Sequence, residues 1–234
     1  MHPSTTRPAA PSRAATVATF VGGVAACFVA LPLIVDVFSD HGPGVLVLLA
    51  VGQLVGAVLL VGWWLRRHRL GWRAVGADRT RWRRDALLGA ATVPPRALLE
   101  FGVLVPLAGG ASNAEVQEVL RNVGTNGWSL AGALVLGMVG GGIAEELYFR
   151  GFLVGGVPRA FRDRRRARRV AVVVSVVLFA ALHLPANVPD VVSILVAALV
   201  YTVLFTATDR LTAPMVAHLL WNATAIVGVL ALYG

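Results

Sequence analysis

The residues WSLAGALVLGMVGGGIAEELYFRGFLVGG, positions 128–156, decide the class of this protein. The run is longer than the roughly 20 residues a helix needs to cross the hydrocarbon core of a bilayer, and its only charges are Glu145, Glu146 and Arg150. Six more apolar runs surround it, at 14–38, 44–65, 86–109, 170–188, 190–208 and 212–233. A chain that is 57% hydrophobic and 14% charged, with mean hydropathy +0.73, lies outside the range of water-soluble domains. The expected fold is an all-α integral membrane protein, a bundle of about seven transmembrane helices whose core is built from the last four. Residues 1–13 are expected to be a disordered cytoplasmic N-terminus, 14–109 to form three N-terminal transmembrane helices, and 128–233 to form the catalytic helical core. The first apolar run is too long for a signal-peptide core and lacks a clear cleavage site, so a retained helix is expected.

The net charge of +9 comes entirely from Arg, since the chain has no Lys. Most Arg residues fall in two blocks between apolar runs, Arg66 to Arg84 and Arg159 to Arg169. Such blocks face anionic lipid on the cytoplasmic side, and nucleic acid is not an expected partner. The same rule puts the N-terminus, with Arg7 and Arg13, in the cytoplasm. It puts the Arg-free link Ser39 to Pro43 and the acidic link Gly110 to Gly127 outside. The expected location is the plasma membrane, with several passes. Trp63, Trp64, Trp72, Trp82 and Trp128 sit near the expected boundaries, as interfacial belt residues do. Cys27 is the sole cysteine, which excludes an intrachain disulfide and a thiolate metal cluster. The third run holds Pro94, Pro95, Arg96 and Glu100. It is therefore expected to kink and to turn part of its surface to protein or to the interface.

An ionisable side chain at the centre of a membrane helix costs on the order of 2.5–3.5 kcal/mol, so each one needs a reason. The second half of the chain carries Glu145, Glu146, Arg150, His183 and His218, together with Asn222. Glu146 and Arg150 are spaced i, i+4 with the acid first, the favourable order for a pair on one helix face. In α geometry Glu145 lies roughly 140° away from Arg150 and has no such partner. An unpaired carboxylate in a low-dielectric site suits a general base or acid, so Glu145 is assigned to chemistry and the Glu146–Arg150 pair to support. His218 and Asn222, also i, i+4, can donate to one developing oxyanion. His183 can meet Glu145 across a helix interface to grip a water. Gly137, Gly141 and Glu145 share one face, where a neighbouring helix or an extended substrate can approach closely. A simple alternation of spans puts His183 near the outer end of its helix and His218 near the inner end of its own. A start inside the Arg block and a kink at Pro185 would bring His183 towards the midplane.

The three groups Glu145-Glu146…Arg150, Phe179…His183 and His218…Asn222 resemble the EExxxR, FxxxH and HxxxN motifs of the CPBP family, the Abi or CAAX-protease-like intramembrane endopeptidases. The resemblance covers roughly 128–225. It implies that Glu145 and His183 activate a water while His218 and Asn222 stabilise the tetrahedral oxyanion, with a hydrophobic or lipid-modified peptide as substrate and membrane lipid as surroundings. Family members are also named metalloproteases. If a metal such as Zn²⁺ is bound, Glu145, His183 and His218 are its expected ligands, but HExxH is absent and a ligating Glu145 leaves no separate base. The expectation is a site that needs no cofactor. The alternatives are a zinc metalloprotease using the same residues, a non-catalytic scaffold or immunity protein, and a transporter. Inverted repeats or paired broken helices, which transporters usually show, are not visible. By charge alone, the Arg159 to Arg169 loop is expected to draw anionic lipid and a substrate's C-terminal carboxylate towards a cavity reached from the cytoplasmic side or from lipid.

Overall fold

The computed structural model describes residues 12–38, 42–123 and 126–234, and these form helices and no strand. The expected disordered segment, apart from Ser12 and Arg13, lies outside the described residues. Ser12 caps the first helix by accepting from the Ala15 amide. In chain order the helices are α1 (Arg13–Val35), α2 (Pro43–Arg67), α3 (Trp82–Leu107), α4 (Ala114–Val123), α5 (Gly127–Ala160), α6 (Arg164–Leu182), α7 (Val188–Thr208) and α8 (Thr212–Tyr233). Six of these are long and apolar enough to cross a membrane; α4 and α6 are not.

The expected fifth span, 170–188, is where the structure departs most from the sequence reading. Helix α6 starts inside the Arg block and stops at Leu182, so its apolar part, 170–182, rises only about 20 Å at 1.5 Å per residue. Leu184 takes a left-handed φ of 46° and Pro185 follows it, which ends the helix instead of kinking it. His183 therefore caps the C-terminal end of α6, next to the short link to α7. Helix α3 breaks at Ala91 and Thr92, just before Pro94 and Pro95, and resumes at Val93.

Helix α5 is the centre of the bundle, with α2 packed on one side and α8 on another. Its Tyr148, Phe149 and Phe152 are buried among Phe20, Trp64, Phe179 and Phe205. The Tyr148 hydroxyl donates to the Thr19 and Phe20 carbonyls at 3.0 Å each, tying α1 to α5. Trp64 is not a belt residue. It is fully buried and donates to the Thr16 hydroxyl at 3.0 Å, whereas Trp63, Trp72, Trp82 and Trp128 are exposed. The outward faces carry exposed apolar side chains such as Leu48, Leu59, Val173 and Val203, as surfaces towards lipid do.

The two Arg blocks meet at one end of the bundle. Arg159 donates to the Ala74 carbonyl at 3.2 Å, Arg168 pairs with Asp209, and Arg210 grips the buried Asp85 with two nitrogens. At the opposite end Pro43 packs against Gly132, and Asn113 donates to Asp190 at 3.1 Å. There α4 lays Val116 and Val119 on Val105, Val229 and Tyr233. The positive-inside rule predicts that the first end is the cytoplasmic one. Single cysteines placed in a Cys27→Ser chain test this. Gln117→Cys should react with an impermeant thiol reagent on intact cells, and Arg165→Cys only after permeabilisation. Labelling of both from one side would overturn the assignment.

Candidate active site

Glu146 and Arg150 form the expected pair, with Arg150 Nη1 donating to Glu146 Oε1 at 2.9 Å and neither side chain reaching solvent. Arg150 Nη2 also donates to the Ala198 carbonyl at 3.3 Å, and its guanidinium lies over the Phe179 ring at 4.4 Å. The same Glu146 oxygen meets His218 Nδ1 at 2.9 Å, a bond the sequence reading did not contain. A carboxylate already charge-paired with Arg150 acts as acceptor, so Nδ1 carries the proton and donates. That leaves Nε2 turned towards the site. The Tyr201 ring stacks on His218 at 4.4 Å and holds the imidazole plane.

His183 shows the same arrangement by a different route. Its Nδ1 lies 2.7 Å from the Phe179 carbonyl oxygen, which can only accept, so Nδ1–H donates and Nε2 is again the open nitrogen. The Phe179 carbonyl is among the last four of α6, where helical partners run out, and the side chain of the capping His183 replaces the missing donor.

Over Leu136–Gly156 helix α5 is closed by i→i+5 bonds, so residues five apart make just over one turn. Glu145 therefore lies nearer the face of Arg150 than α geometry implies. Arg150 nevertheless bonds Glu146, and Glu145 Oε2 is buried without a hydrogen-bond partner among the described residues. Glu145 faces a cavity of about 230 Å³ together with Gln53, Phe149 and His183. A larger cavity of about 400 Å³ adjoins it, lined by His183, His218 and Asn222. The four expected residues thus meet at two chambers that share Phe179 and His183, not at a single one.

Asn222 is partly committed, since its Nδ2 donates to the Gly137 carbonyl at 2.7 Å and one N–H remains. The glycines on this face make room for α8: a Cβ on Gly141 would lie 2.7 Å from Asn222 Nδ2 and 3.4 Å from His218 Nε2. Among the described residues no three His, Cys, Asp or Glu side chains gather as a metal site. Glu145, His183 and His218 are accordingly not arranged as a ready ligand set.

Several polar residues of the larger cavity were not singled out as site residues. Arg96 donates to the Tyr201 hydroxyl at 2.6 Å and stacks on Trp221 at 3.7 Å, and Ser193 donates to Glu100 at 2.6 Å. Their signal was present, because Arg96 and Glu100 interrupt an apolar span as conspicuously as Glu145 does. The cavity follows α8 from His218 to Val229 and reaches α4 and Leu184 at the end remote from the Arg blocks. The expectation of entry beside Arg159 to Arg169 is therefore corrected, because those residues belong to the other end of the bundle.

Residues 127–224 match the family model described as type II CAAX prenyl endopeptidase Rce1-like. The match begins where α5 begins and takes in all three motifs, while α1, α2 and α3 lie outside it. No curated protein and no solved structure matches the chain.

Replacing Glu146 by Ala removes the shared acceptor of Arg150 and His218. Breaking a buried pair costs roughly 3–5 kcal/mol, so the melting temperature in detergent should fall clearly. Adding Arg150→Met, which takes away the stranded charge, should restore part of it. A Glu146→Ala chain that melts like the parent would remove this pair from the account of the fold.

Proposed function

We propose, on the premise that residues 127–224 belong to the type II CAAX prenyl endopeptidase Rce1-like family, that this chain is an intramembrane endopeptidase. It hydrolyses peptide bonds in hydrophobic or lipid-modified chains, in the plasma membrane and with its N-terminus cytoplasmic. The observation that carries the reading is the contrast between two adjacent carboxylates. Glu146 holds both Arg150 and His218 on its Oε1, its Oε2 being buried without a partner, whereas Glu145 has no hydrogen bond or ion pair among the described residues and faces a chamber it shares with His183.

A water between Glu145 and His183 Nε2 is oriented by both. Glu145 takes its proton as the water oxygen attacks the scissile carbonyl carbon, and the carbonyl electrons move onto oxygen. The second N–H of Asn222 donates to that oxyanion, and so does Nε2–H of His218 when the ring carries both protons. Collapse of the tetrahedral intermediate breaks the C–N bond, and the leaving nitrogen receives the proton from Glu145. The products are a carboxylic acid and an amine, and side chains alone activate the water.

Two measurements test this. Glu145→Gln should bring turnover below a few per cent of the parent while the protein stays folded and inserted, since the amide cannot take a proton. Greater turnover would remove Glu145 from the base role. In liposomes a lipidated apolar peptide should be cut faster than soluble casein, because a soluble chain would have to leave water with its backbone groups unsatisfied. The reverse order would overturn the substrate class.

A further inference from the structure

The larger cavity has a charge character that the proposed chemistry does not use. Four carboxylates line it, those of Glu100, Glu115, Glu118 and Asp190, against the single guanidinium of Arg96. Asp190 is 4% exposed. Its Oδ1 accepts from Asn113 while its Oδ2 is buried with no partner among the described residues. Arg96 is turned to the Tyr201 hydroxyl and the Trp221 face, so its best donor and its flat face are occupied. Partial burial, and then the charges of Asp190, Glu100 and Glu118, push the Glu115 carboxyl up to about 7. These acids therefore share one electrostatic environment, and an entering cation relieves their repulsion.

We infer that this acidic vestibule selects peptides with a basic group close to the scissile bond, entering from the end of the bundle remote from the Arg blocks. The inference rests on the endopeptidase reading for the word scissile, and on the cavity alone for the charge preference. Between His218 and Val229 the cavity follows α8 for about 16 Å at 1.5 Å per residue. An extended chain advances about 3.3 Å per residue, so the vestibule holds roughly five residues beyond the bond. A Lys, an Arg or a free amino terminus in that stretch brings a cation to Asp190 Oδ2, with its aliphatic stem along Phe101, Val105 and Val229. A C-terminal carboxylate at the same place meets like charge. No three of the acids gather as a metal site among the described residues, and a spread of acceptors suits the several N–H donors of an ammonium or guanidinium.

The test uses the full chain in phosphatidylcholine liposomes, whose neutral surface does not itself rank the probes by charge. Three apolar fluorogenic peptides differ only in a Lys, Gln or Glu four residues from the bond, on the side that reaches α4. At low salt the Lys peptide should exceed the Gln peptide in kcat/KM by on the order of tenfold, with the Glu peptide lowest. High salt should narrow the spread. Glu115→Gln with Glu118→Gln, two exposed rim positions, should narrow it further, and so should Asp190→Asn where that chain folds. Binding of the same peptides to the Glu145→Gln chain, read by fluorescence anisotropy, separates charge selection from hydrolysis. The Lys, Gln, Glu ranking in binding without any cutting would support the vestibule and overturn the endopeptidase. Cutting with no ranking would overturn the vestibule and leave the endopeptidase. Absence of both would overturn both.

Discussion

A carboxylate and a guanidinium one turn apart on the same helix, both without solvent contact, set the terms for the rest of the core. Because Glu146 and Arg150 come from one helix, they can meet before any tertiary structure exists, and α5 then presents a neutralised pair to the membrane instead of two separate charges. Other helices meet part of the remaining capacity of the pair, while Glu146 Oε2 and Arg150 Nε stay buried without a hydrogen-bond partner among the described residues. Helix α7 offers the Ala198 carbonyl, α8 offers His218 Nδ1, and α6 offers the ring of Phe179. Each of the three partner helices is thereby fixed against α5 by a contact that leaves a buried polar atom unsatisfied when lost. These four helices are also the ones in the family match, α7 being the member without a motif residue.

What the sequence made legible follows from where its costs are visible. Glu145, Glu146, Arg150, His183, His218 and Asn222 stand out because charged and polar side chains in apolar runs are expensive, and spacing sorts them within one helix. Spacing does not reach between helices. The bond from His218 to Glu146 joins residues 72 positions apart, and nothing in either motif announces it. Trp64 looks like its neighbour Trp63, but the roughly 100° between adjacent residues decides that one faces the core and the other lies outside. The i→i+5 bonding of Leu136–Gly156 altered the angles computed for Glu145, since a rule built on 3.6 residues per turn fails where the turn widens. Arg96 and Glu100 were legible by the same insertion argument as Glu145. They were passed over because no short motif surrounds them.

The two ends of the bundle are electrostatically unlike. At one end the Arg blocks are gathered by a few acids, with Asp85 and Asp209 holding Arg210 and Arg168. At the other end the carboxylates outnumber the cations and line a cavity. The Arg blocks are what the positive-inside rule reads, and the acids of the other end are what favours a cation over an anion in the vestibule.

The end of α6 brings one more polar side chain to the cavities. A helix crossing the whole bilayer keeps its unsatisfied carbonyls at the two interfaces. Helix α6 stops at Leu182, so its last carbonyls need partners from outside the helix where the chain borders the larger cavity. The His183 and Leu184 amides turn back to the Ala180 and Ala181 carbonyls, and His183 Nδ1 takes that of Phe179. His183, Leu184 and Ala186 then border the larger cavity. Satisfying the helix end and fixing the tautomer of His183 are therefore the same hydrogen bond. A longer α6 would bond the Phe179 carbonyl to the His183 amide, release the imidazole, and replace the polar opening beside Glu145 with another apolar turn.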